Sequence, residues 1–530
     1  MTLLLNEWFN SFYSALQNYD SDAVYRGLLR FTGLAFAHIA FAVYSYYLQQ
    51  RLALRWRKWM TKNYLAKWTG QQMYYRLEMF SQGTADNPDQ RISEDINLFT
   101  ARTLSFMSGL LRSATTIVCF IFVLWNLSEV LSFSAAGQEI HIYGYLVWTA
   151  LAYSVLGTWI THKVGHRLVS LNYLQQKLEA DFRFSMVRLR ETAESVAFYN
   201  GAAKEESFLS NRFMTLLRNT LFIIKKQKQL SWLTNSYAQI AIIFPFVVAV
   251  PRYLSQNISL GGLMQIANCF GKVQDAMSYF VDVYASLAEW QSCAKRLLSF
   301  DRHIAAIEKE TEEKSGSLVR EETPDKLRLT DVTISVPAMD ENKRTREIIS
   351  SASCTIKSEE HVILKGPSGS GKSTLLRTLA GFWPYVKGHI SMPAPSEMMF
   401  IPQKPYIPMG TSAEAASYPL ETADKEILSP LLVECGLSHL MEKTDTEADW
   451  SHILSLGEQQ KLAFVRVFLR KPKWVFLDEA TSAMDEETEE KMYRLLTALP
   501  GTTVISIGHR STLDKWHDRV LRIENGKLIG

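Results

Sequence analysis

The sequence predicts an α-helical membrane domain over residues 1–300, followed by an α/β domain over residues 327–530. Three observations support this fold class. The first half has long uncharged runs rich in Trp, Tyr and Phe, a charged stretch follows at 301–326, and a strand, a glycine-rich turn and a helix succeed one another after residue 361. The charged stretch is poor in apolar residues and is expected to be a linker.

Five runs in the first half could form membrane-spanning helices. They are Phe31–Leu48, Ser113–Ser128, Ile140–His162, Gln229–Pro251 and Tyr253–Gly271. A helix rises 1.5 Å per residue, so about 20 apolar residues cross a hydrocarbon core of about 30 Å. Soluble helices rarely contain so many residues without a charge, which favours membrane spans over buried soluble helices. The fifth run is the least apolar because it contains Asn, Ser, Gln and Gly.

The basic residues predict the orientation of these spans. Lys and Arg cluster after the first run, after the third run and before the fourth run, positions that alternate to one side of the membrane. Because Lys and Arg stay on the cytoplasmic side of short loops, this side is the cytoplasm. The domain at 327–530 then lies in the cytoplasm. Five spans place the N-terminus outside, and a sixth span is expected before Met1.

Polar residues recur every three or four positions at the end of the fifth run. They are Asn268, Lys272, Asp275, Tyr279 and Asp282. This spacing places them on one face of a helix. Ionisable groups at membrane depth face a watery cavity or one another. Two interpretations follow: a substrate pathway, or an ion pair between Lys272 and Asp275.

Composition argues against several other classes of protein. The net charge is only +3, from 57 basic and 54 acidic residues, so no basic field suggests binding to nucleic acid. The five cysteines are scattered without the spacing of a zinc site or a disulfide scaffold.

A phosphate-binding loop follows the apolar run at 361–365. The pattern G-x-x-x-x-G-K-[ST] is filled by Gly366, Pro367, Ser368, Gly369, Ser370, Gly371, Lys372, Ser373 and Thr374. The glycines let backbone N–H groups surround the phosphates of a nucleotide, and the next helix presents its positive end to them. Lys372 would contact the β- and γ-phosphate oxygens, and the Ser373 hydroxyl would bind Mg²⁺. The motif therefore predicts binding of ATP with Mg²⁺.

Two carboxylates end the buried strand predicted at 474–479. Such a strand would place Asp478 beside the phosphates, where it holds Mg²⁺ directly or through water. Glu479 would lie one step further out and would accept a proton from the attacking water or orient it.

Further motifs resemble those of the ATP-binding-cassette (ABC) transporters. Residues 454–460, Leu-Ser-Leu-Gly-Glu-Gln-Gln, resemble the signature sequence of the family, and their order and spacing with three other motifs match over about 200 residues. Gln403 resembles the Q-loop glutamine, Asp485 ends a D-loop-like segment, and His509 resembles the switch histidine. The resemblance implies that Gln403 and His509 act in catalysis and that Gln403 also contacts Mg²⁺. It further implies that Ser455 and Gly457 grip the γ-phosphate of a nucleotide bound by a second subunit.

Two features depart from the family pattern. The signature has Leu456 where glycine is usual and Glu458 where glutamine is commonest, so slower activity is expected. The family stacks adenine on an aromatic residue before the phosphate-binding loop, yet no Phe, Trp or Tyr occurs between Phe300 and Phe382. Val336 or an aliphatic neighbour is expected to take that place.

The membrane half resembles one branch of the family. The stretches at 56–60, 86–92, 188–199 and 381–384 resemble the bacterial SbmA/BacA-like branch with a fused ATPase, which is related to the peroxisomal ABCD half-transporters. This resemblance implies six spans, a homodimer in a bacterial inner membrane, and a peptide-like, cobalamin-like or acyl cargo. It leaves the identity of the cargo and the direction of transport open.

Together these features predict a homodimeric, ATP-driven half-transporter. Turns near Asn87 and Asn200 would pass the closure of two cassettes to the spans. Two alternatives are a membrane-anchored ATPase that regulates a partner without moving cargo, and a nucleotide sensor that does not hydrolyse. The second is disfavoured by the presence of Lys372, Asp478, Glu479 and His509.

Overall fold

The chain forms two compact units. The computed structural model describes residues 1–80, 87–128, 131–135, 138–315, 318–337 and 345–530. The helical unit comprises Met1–Gln71 and Gly83–Arg302, and the cassette unit comprises Gln72–Gln82 and His303–Gly530.

Long helices dominate the first 315 residues. In chain order they are α1 (Thr2–Gln17), α2 (Ser21–Thr69), α3 (Met73–Phe80), α4 (Pro88–Gln90), a π-helical turn (Arg91–Asp95), α5 (Ile96–Leu127), α6 (Tyr145–Glu191), α7 (Ala193–Phe198), α8 (Ala202–Leu254), α9 (Leu260–Asp282) and α10 (Tyr284–Ser315). A hairpin of β1 (Leu131–Ala135) and β2 (Gln138–Ile142) lies between α5 and α6. Among the described residues, three helical segments are long and apolar enough to cross a bilayer: Ser21–Met79, Pro88–Leu127 and Ala202–Leu254.

Two of the five predicted spans begin in the wrong place. Residues 140–142 of the third run belong to β2, and the helix begins at Tyr145 after Gly144, whose φ of 67° is left-handed. In the fifth run α8 continues to Leu254, and α9 begins only at Leu260. Hydropathy cannot locate these breaks, because the residues of a hairpin or of the turn at 255–259 are as uncharged as the helices beside them.

A buried apolar cluster holds the ends of four helices together. It contains Phe120 and Leu124 of α5, Leu146 and Ala150 of α6, Ala249 of α8, and Ile266 and Phe270 of α9. Between α6 and α8, the Tyr153 and Tyr237 rings stack at 4.6 Å. The Tyr153 hydroxyl donates to the Tyr237 carbonyl at 2.7 Å. The ring of Tyr237 also fills the space beside Gly157, where a Cβ atom would lie 2.2 Å from its Cε2 atom.

The polar face predicted for α9 is divided between two environments. Asn268 accepts a hydrogen bond from Asn6 of α1 at 3.3 Å, and Gln265 accepts one from Asn10 at 2.9 Å. Asn268 therefore belongs to a contact between helices. Lys272 and Asp275 lie further along α9 and border a cavity.

The described part of the cassette unit contains a six-stranded sheet, a four-stranded sheet and a two-stranded sheet. Its strands are β3 (Leu318–Glu322), β4 (Lys326–Pro337), β5 (Thr345–Lys357), β6 (Val362–Lys365), β7 (Val386–Met392), β8 (Met398–Ile401), β9 (Gly410–Thr411), β10 (Glu447–Ala448), β11 (Trp474–Asp478), β12 (Thr503–Ile507), β13 (Arg519–Glu524) and β14 (Lys527–Ile529). The six-stranded sheet has the order β14-β13-β6-β12-β11-β8 and is parallel except for β14. The four-stranded sheet has the order β3-β7-β4-β5.

Six further helices complete the cassette unit. They are α11 (Lys372–Leu379), α12 (Ser412–Ser417), α13 (Lys425–Glu434), α14 (Trp450–Ile453), α15 (Leu456–Arg470) and α16 (Glu486–Thr497). Apolar side chains of α11 and of the six-stranded and four-stranded sheets share one core, which includes Trp474, Phe476, Leu375 and Ile390. A parallel sheet buried on both faces explains why β6, β11 and β12 are almost continuously apolar.

Helix α3 packs with the cassette, although it follows the first long helix in the chain. Met73 is 1% exposed and Leu77 is 9% exposed. The Tyr75 ring meets the Phe382 ring edge-on at 5.0 Å, and Met79 packs against the cassette core. The cassette unit therefore includes this earlier segment as well as the chain from His303 onwards, and the boundary at residue 300 stays a prediction of the sequence.

Most described residues of the stretch at 301–326, whose composition predicts a linker, lie in a helix or a strand. Helix α10 continues through it to Ser315, and β3 pairs with β7. The reason lies in two apolar residues at helical spacing: Ile304 and Ile307 are 3% and 6% exposed. Their burial fixes the helix despite the charged residues around them.

The contact between α6 and α8 can be tested at Gly157. The Gly157→Ala variant should lower the midpoint of thermal unfolding, because the new Cβ must displace the Tyr237 ring, and such overpacking costs about 1–3 kcal/mol. Unfolding is measured on the purified protein in detergent. The matched control is Gly33→Ala in α2, since nothing lies within 4 Å of a Cβ there. Equal midpoints for both variants would contradict the close contact.

Candidate active site

The phosphate-binding loop connects β6 to α11. Left-handed φ angles of 77° at Gly369 and 98° at Gly371 turn the chain, and glycine adopts them without steric cost. The Lys372 ammonium group donates to the carbonyls of Gly366 at 2.9 Å and Pro367 at 2.8 Å. Burial lowers the pKa of Lys372, although the Glu479 and Asp478 carboxylates act in the opposite direction. The Lys372 side chain therefore lies over the phosphate-binding loop and is held by two of its carbonyl groups.

Asp478 lies against the start of α11. Its Oδ1 atom accepts a hydrogen bond from the Ser373 hydroxyl at 3.0 Å. Burial raises the pKa of Asp478, the nearby Glu479 carboxylate adds to this effect, and the Ser373 hydrogen bond opposes it. A carboxylate that is costly to keep charged favours a cation as its partner.

Three loops meet at the Glu479 carboxylate. Its Oε2 atom accepts a hydrogen bond from the Gln403 amide at 3.0 Å. Its Oε1 atom lies 3.4 Å from Nε2 of His509. Glu479 has a left-handed φ of 49°, and its backbone N–H donates to the Ile507 carbonyl at 3.0 Å. The chain therefore turns sharply after β11 and directs this side chain between the glutamine and the histidine.

The residues present fit a nucleotide and a magnesium ion. The buried Ser370 hydroxyl, within the loop, has no hydrogen-bond partner, as expected for a group that a phosphate would satisfy. Ser373 and Asp478 offer two oxygen ligands of the kind that Mg²⁺ takes together with phosphates and water. No group of three or more His, Cys, Asp or Glu side chains that could hold a metal occurs in the described part of the chain.

The signature motif begins α15 with a reciprocal cap. Glu458 accepts hydrogen bonds from the Ser455 backbone N–H at 2.9 Å and from its hydroxyl at 2.8 Å. The other carboxylate oxygen lies 3.3 Å from His439 Nε2. Burial raises the pKa of Glu458, but the hydrogen bonds from Ser455, with His439 and Lys461, lower it overall. The acidic departure in the signature is therefore compensated within the same chain.

The other departure, Leu456, occupies a position with room for a side chain. Leu456 is 41% exposed. At Gly457, in contrast, a Cβ atom would lie 2.8 Å from the Ala483 carbonyl oxygen. Only the second glycine of the motif is required by close packing in this chain.

Asp485 lies at the beginning of α16. It accepts hydrogen bonds from the Thr488 backbone N–H at 2.7 Å and from its hydroxyl at 3.2 Å. The loop before it is braced by Arg510, which donates to the Ser482 carbonyl at 3.1 Å and the Met484 carbonyl at 3.0 Å. In this structure Asp485 caps a helix.

Gln460 is a residue whose contacts the motif analysis missed. It is fully buried in α15. Its amide donates to the Gln403 carbonyl at 2.9 Å and to the Ser482 hydroxyl at 3.2 Å, and its carbonyl accepts from the Ala483 N–H at 3.0 Å. One side chain thus connects the loop at 403 with the loop at 482–485. Its place as the last residue of the signature segment 454–460 is the sequence signal that could have indicated it.

The structure brings some predicted site residues together and separates others. Lys372, Ser373, Asp478, Glu479, Gln403 and His509 form one connected group. Ser455, Gly457 and Asp485 make their described contacts elsewhere, with Glu458, Ala483 and Thr488. The prediction that Gln403 contacts a metal remains a prediction, since its amide here serves Glu479.

The place expected for adenine is only partly described. Val336 packs against the cassette core, and residues 338–344 lie outside the described residues. Ile348 lies beside the phosphate-binding loop, with its Cδ1 atom 3.0 Å from the Cβ position of Gly371. An aliphatic contact to the base stays a prediction.

Comparison with known proteins identifies the family. A family model described as "ABC transporter transmembrane region 2" matches residues 1–254, and one described as "ABC transporter" matches residues 349–482. The chain belongs to the ABC transporter family. It is accordingly a half-transporter with a membrane-spanning region and an ATP-binding cassette whose ATPase activity is coupled to transport.

Several relatives match almost the whole chain. The inner membrane ABC transporter ATP-binding protein YddA of Escherichia coli is 34% identical over 96% of this chain and 88% of its own length. The human lysosomal cobalamin transporter ABCD4 is 31% identical over 90% of this chain and 81% of its own length. These matches confirm the predicted relation to bacterial and ABCD half-transporters. A solved bacterial Atm1-family ABC exporter with bound ATP has a TM-score of 0.76 and 18% identity, covering 100% of this chain and 92% of that one, which shows a common fold.

Gln460 provides a test of how the loops are positioned. The Gln460→Met variant should lower kcat for ATP hydrolysis about tenfold or more while ATP affinity is retained, because each lost buried hydrogen bond costs about 1–3 kcal/mol. Steady-state hydrolysis and nucleotide binding are measured separately. The control is Tyr493→Phe, which removes a buried hydrogen bond to Ser506 away from these loops. An unchanged kcat in a folded Gln460→Met protein would show that the bridge is dispensable.

Proposed function

We propose that this chain acts as a homodimer that moves a cargo across a bacterial inner membrane, with the cassette in the cytoplasm. The position of the Glu479 carboxylate supports this function best. The Glu479 carboxylate lies between the Gln403 amide and the His509 imidazole, close to Lys372 and Asp478. A general base in this position can activate a water molecule that attacks the γ-phosphate. Glu479 would take the proton of that water, and His509 and Gln403 would orient the two reacting groups. A sensor that only binds nucleotide would not need these three residues in this arrangement, so the sensor alternative is disfavoured.

Magnesium would be held by Ser373 and Asp478. It would supply positive charge to the phosphate oxygens when bound. Burial of Asp478 favours such a cation, because the carboxylate lies in a site where its charge is poorly solvated.

The division of the site residues supports a dimer with composite ATP sites. Ser455 and Gly457 make contacts distinct from those of Lys372 within one chain. The N-terminus of α15 would complete the site of a second copy, where Ser455 and backbone N–H groups would meet a γ-phosphate. Asp485 would lie in the same interface.

The turns near Asn87 and Asn200 are proposed to pass nucleotide-dependent motion to the membrane helices. Phe198 and Tyr199 are 83% and 86% exposed. The turn near Asn200 therefore offers aromatic surface for a protein contact.

The cargo is proposed to be a peptide-like, cobalamin-like or acyl compound. The relative named a lysosomal cobalamin transporter supports a cobalamin-like molecule as one candidate.

The Glu479→Gln variant tests the catalytic assignment. It should bind ATP as tightly as the wild type but lose nearly all turnover, since the proton acceptor is gone while the phosphate-binding loop is intact. Binding and hydrolysis are measured on the same preparation, with Lys372→Ala as the variant expected to lose hydrolysis by a different route. Full turnover in Glu479→Gln would overturn the assignment of the base.

Reconstitution in liposomes separates transport from regulation of a partner. A transporter moves a peptide or a cobalamin-like compound across the membrane in an ATP-dependent manner, and this compound stimulates hydrolysis. A regulatory ATPase hydrolyses ATP but moves none of them. The Glu479→Gln protein in the same liposomes is the negative control.

Mixed dimers test the composite sites. Differently tagged Lys372→Ala and Ser455→Arg chains are expressed together, and dimers carrying both tags are purified. Each variant alone should be inactive, whereas the mixed dimer retains one site with an intact loop and an intact signature. We therefore expect partial recovery of ATP hydrolysis. If each chain formed its site alone, mixing would restore nothing.

A further inference from the structure

The helical unit contains a cavity of about 960 Å³ with charged side chains in its wall. It lies among the beginning of α1 and the helices α2, α5 and α9. The side chains that matter here are Arg112, Lys272, Asp275, His38, Tyr279 and Phe41. The volume is within the range of pockets that hold small molecules, about 300–1,000 Å³.

The charged groups lie far from the end at which α5, α8 and α9 meet. The Arg252 guanidinium donates to the Leu127 carbonyl at 3.2 Å, so the ends of α5 and α8 meet, and α9 begins shortly after α8. The distances are counted from that end of the helices at 1.5 Å per residue. Lys272 lies about 18 Å from the first residue of α9, and Arg112 lies about 22 Å from the last residue of α5. A hydrocarbon core is about 30 Å thick, so a bilayer that begins at this end of the helices would contain both cations.

Within the described part of the chain, these charges have no counter-ion. Lys272 and Asp275 have the spacing of a helical ion pair, yet neither they nor Arg112 form an ion pair with any residue that the structure describes. The cavity alternative for these residues is thereby favoured over the ion-pair alternative. Ionisable groups at this depth are costly unless a partner or water compensates them.

The wall around the cations is held in place by packing. The Tyr279 hydroxyl donates to the Phe106 carbonyl at 3.0 Å. Its ring covers Gly109, where a Cβ atom would lie 2.2 Å from the Tyr279 oxygen. The close approach of α5 and α9 therefore sets the distance between the Arg112 and Lys272 sides of the cavity.

We propose that this cavity binds an amphiphilic molecule through a carboxylate or phosphate group held by Lys272 and Arg112. Two cations face one carboxylate, so the wall attracts negative charge, and Phe41 offers apolar surface for the rest of the ligand. Asp275 would accept a hydrogen bond from a hydroxyl or amino group of the same molecule. This assignment rests on the proposed transport function, because it identifies the chemical class of the cargo.

The test compares two probes of equal chain length and opposite charge. Radiolabelled octyl phosphate and octyltrimethylammonium are dialysed against the full-length protein in phosphatidylcholine nanodiscs, with empty discs as background. The wild type should bind octyl phosphate about tenfold more tightly or better. Lys272→Gln and Arg112→Gln should each weaken this binding about tenfold, since each removes a charge-assisted hydrogen bond.

Matched variants distinguish the site from general charge. Lys272→Arg keeps the charge and should retain most of the binding. Lys177→Gln makes the same charge change at an exposed position of α6 and should leave binding unchanged. Equal binding of both probes, or unchanged binding in the Lys272→Gln and Arg112→Gln proteins, would overturn the proposal.

A second lipid composition distinguishes the two sources of the anionic group, which are a cargo and a lipid headgroup. If octyl phosphate binds equally in phosphatidylglycerol nanodiscs, the result supports a cargo site. If phosphatidylglycerol abolishes binding, the occupant is a lipid headgroup and the cargo assignment falls. Wild-type ATP hydrolysis in the same discs is measured separately, so normal hydrolysis without selective probe binding would reject this site alone and leave the proposed function standing.

Discussion

Hydrogen bonding around the Glu479 carboxylate is the interaction on which the cassette depends. Gln403, Glu479 and His509 follow β8, β11 and β12, which are neighbours in one parallel sheet. Parallel strands bring their carboxyl ends to one edge, and there the three side chains meet. Gln460 connects the loop at 403 to the loop at 482–485 through hydrogen bonds to both. A shift in either loop would therefore change the position of Gln403 relative to the Glu479 carboxylate.

The positions of Lys372, Asp478 and Glu479 were predictable from the sequence because each motif is short and follows an apolar strand, while their catalytic roles stay predictions. The strand determines where the motif lies, so Lys372, Asp478 and Glu479 were assigned without tertiary information. The contacts of Gln460 were not predictable, since its partners Gln403 and Ala483 lie 57 and 23 positions away from it along the chain. The charge of Glu458 is balanced by the Ser455 cap and by His439, and the contact with His439 likewise depends on the tertiary fold.

The membrane half was predicted less completely. Hydropathy located α2 and α8 but not the hairpin before α6 or the turn between α8 and α9, because uncharged residues occur in all of them. Helical periodicity correctly placed Asn268 and Lys272 on one polar face. It could not show that Asn268 pairs with α1 while Lys272 borders a cavity. Which neighbour covers each part of a face depends on the packing of other helices.

Helix α3 has a practical consequence for dissecting this protein. Its Tyr75 ring contacts Phe382 and its Met79 packs against the cassette core, although α3 is encoded more than 200 residues before the rest of that unit. A truncated chain ending near residue 302 would carry these apolar side chains uncovered. An isolated cassette beginning there would expose the matching surface around Phe382. Both fragments would be prone to aggregation, so a soluble cassette for crystallisation should be made with residues 72–82 fused to it by a designed connector.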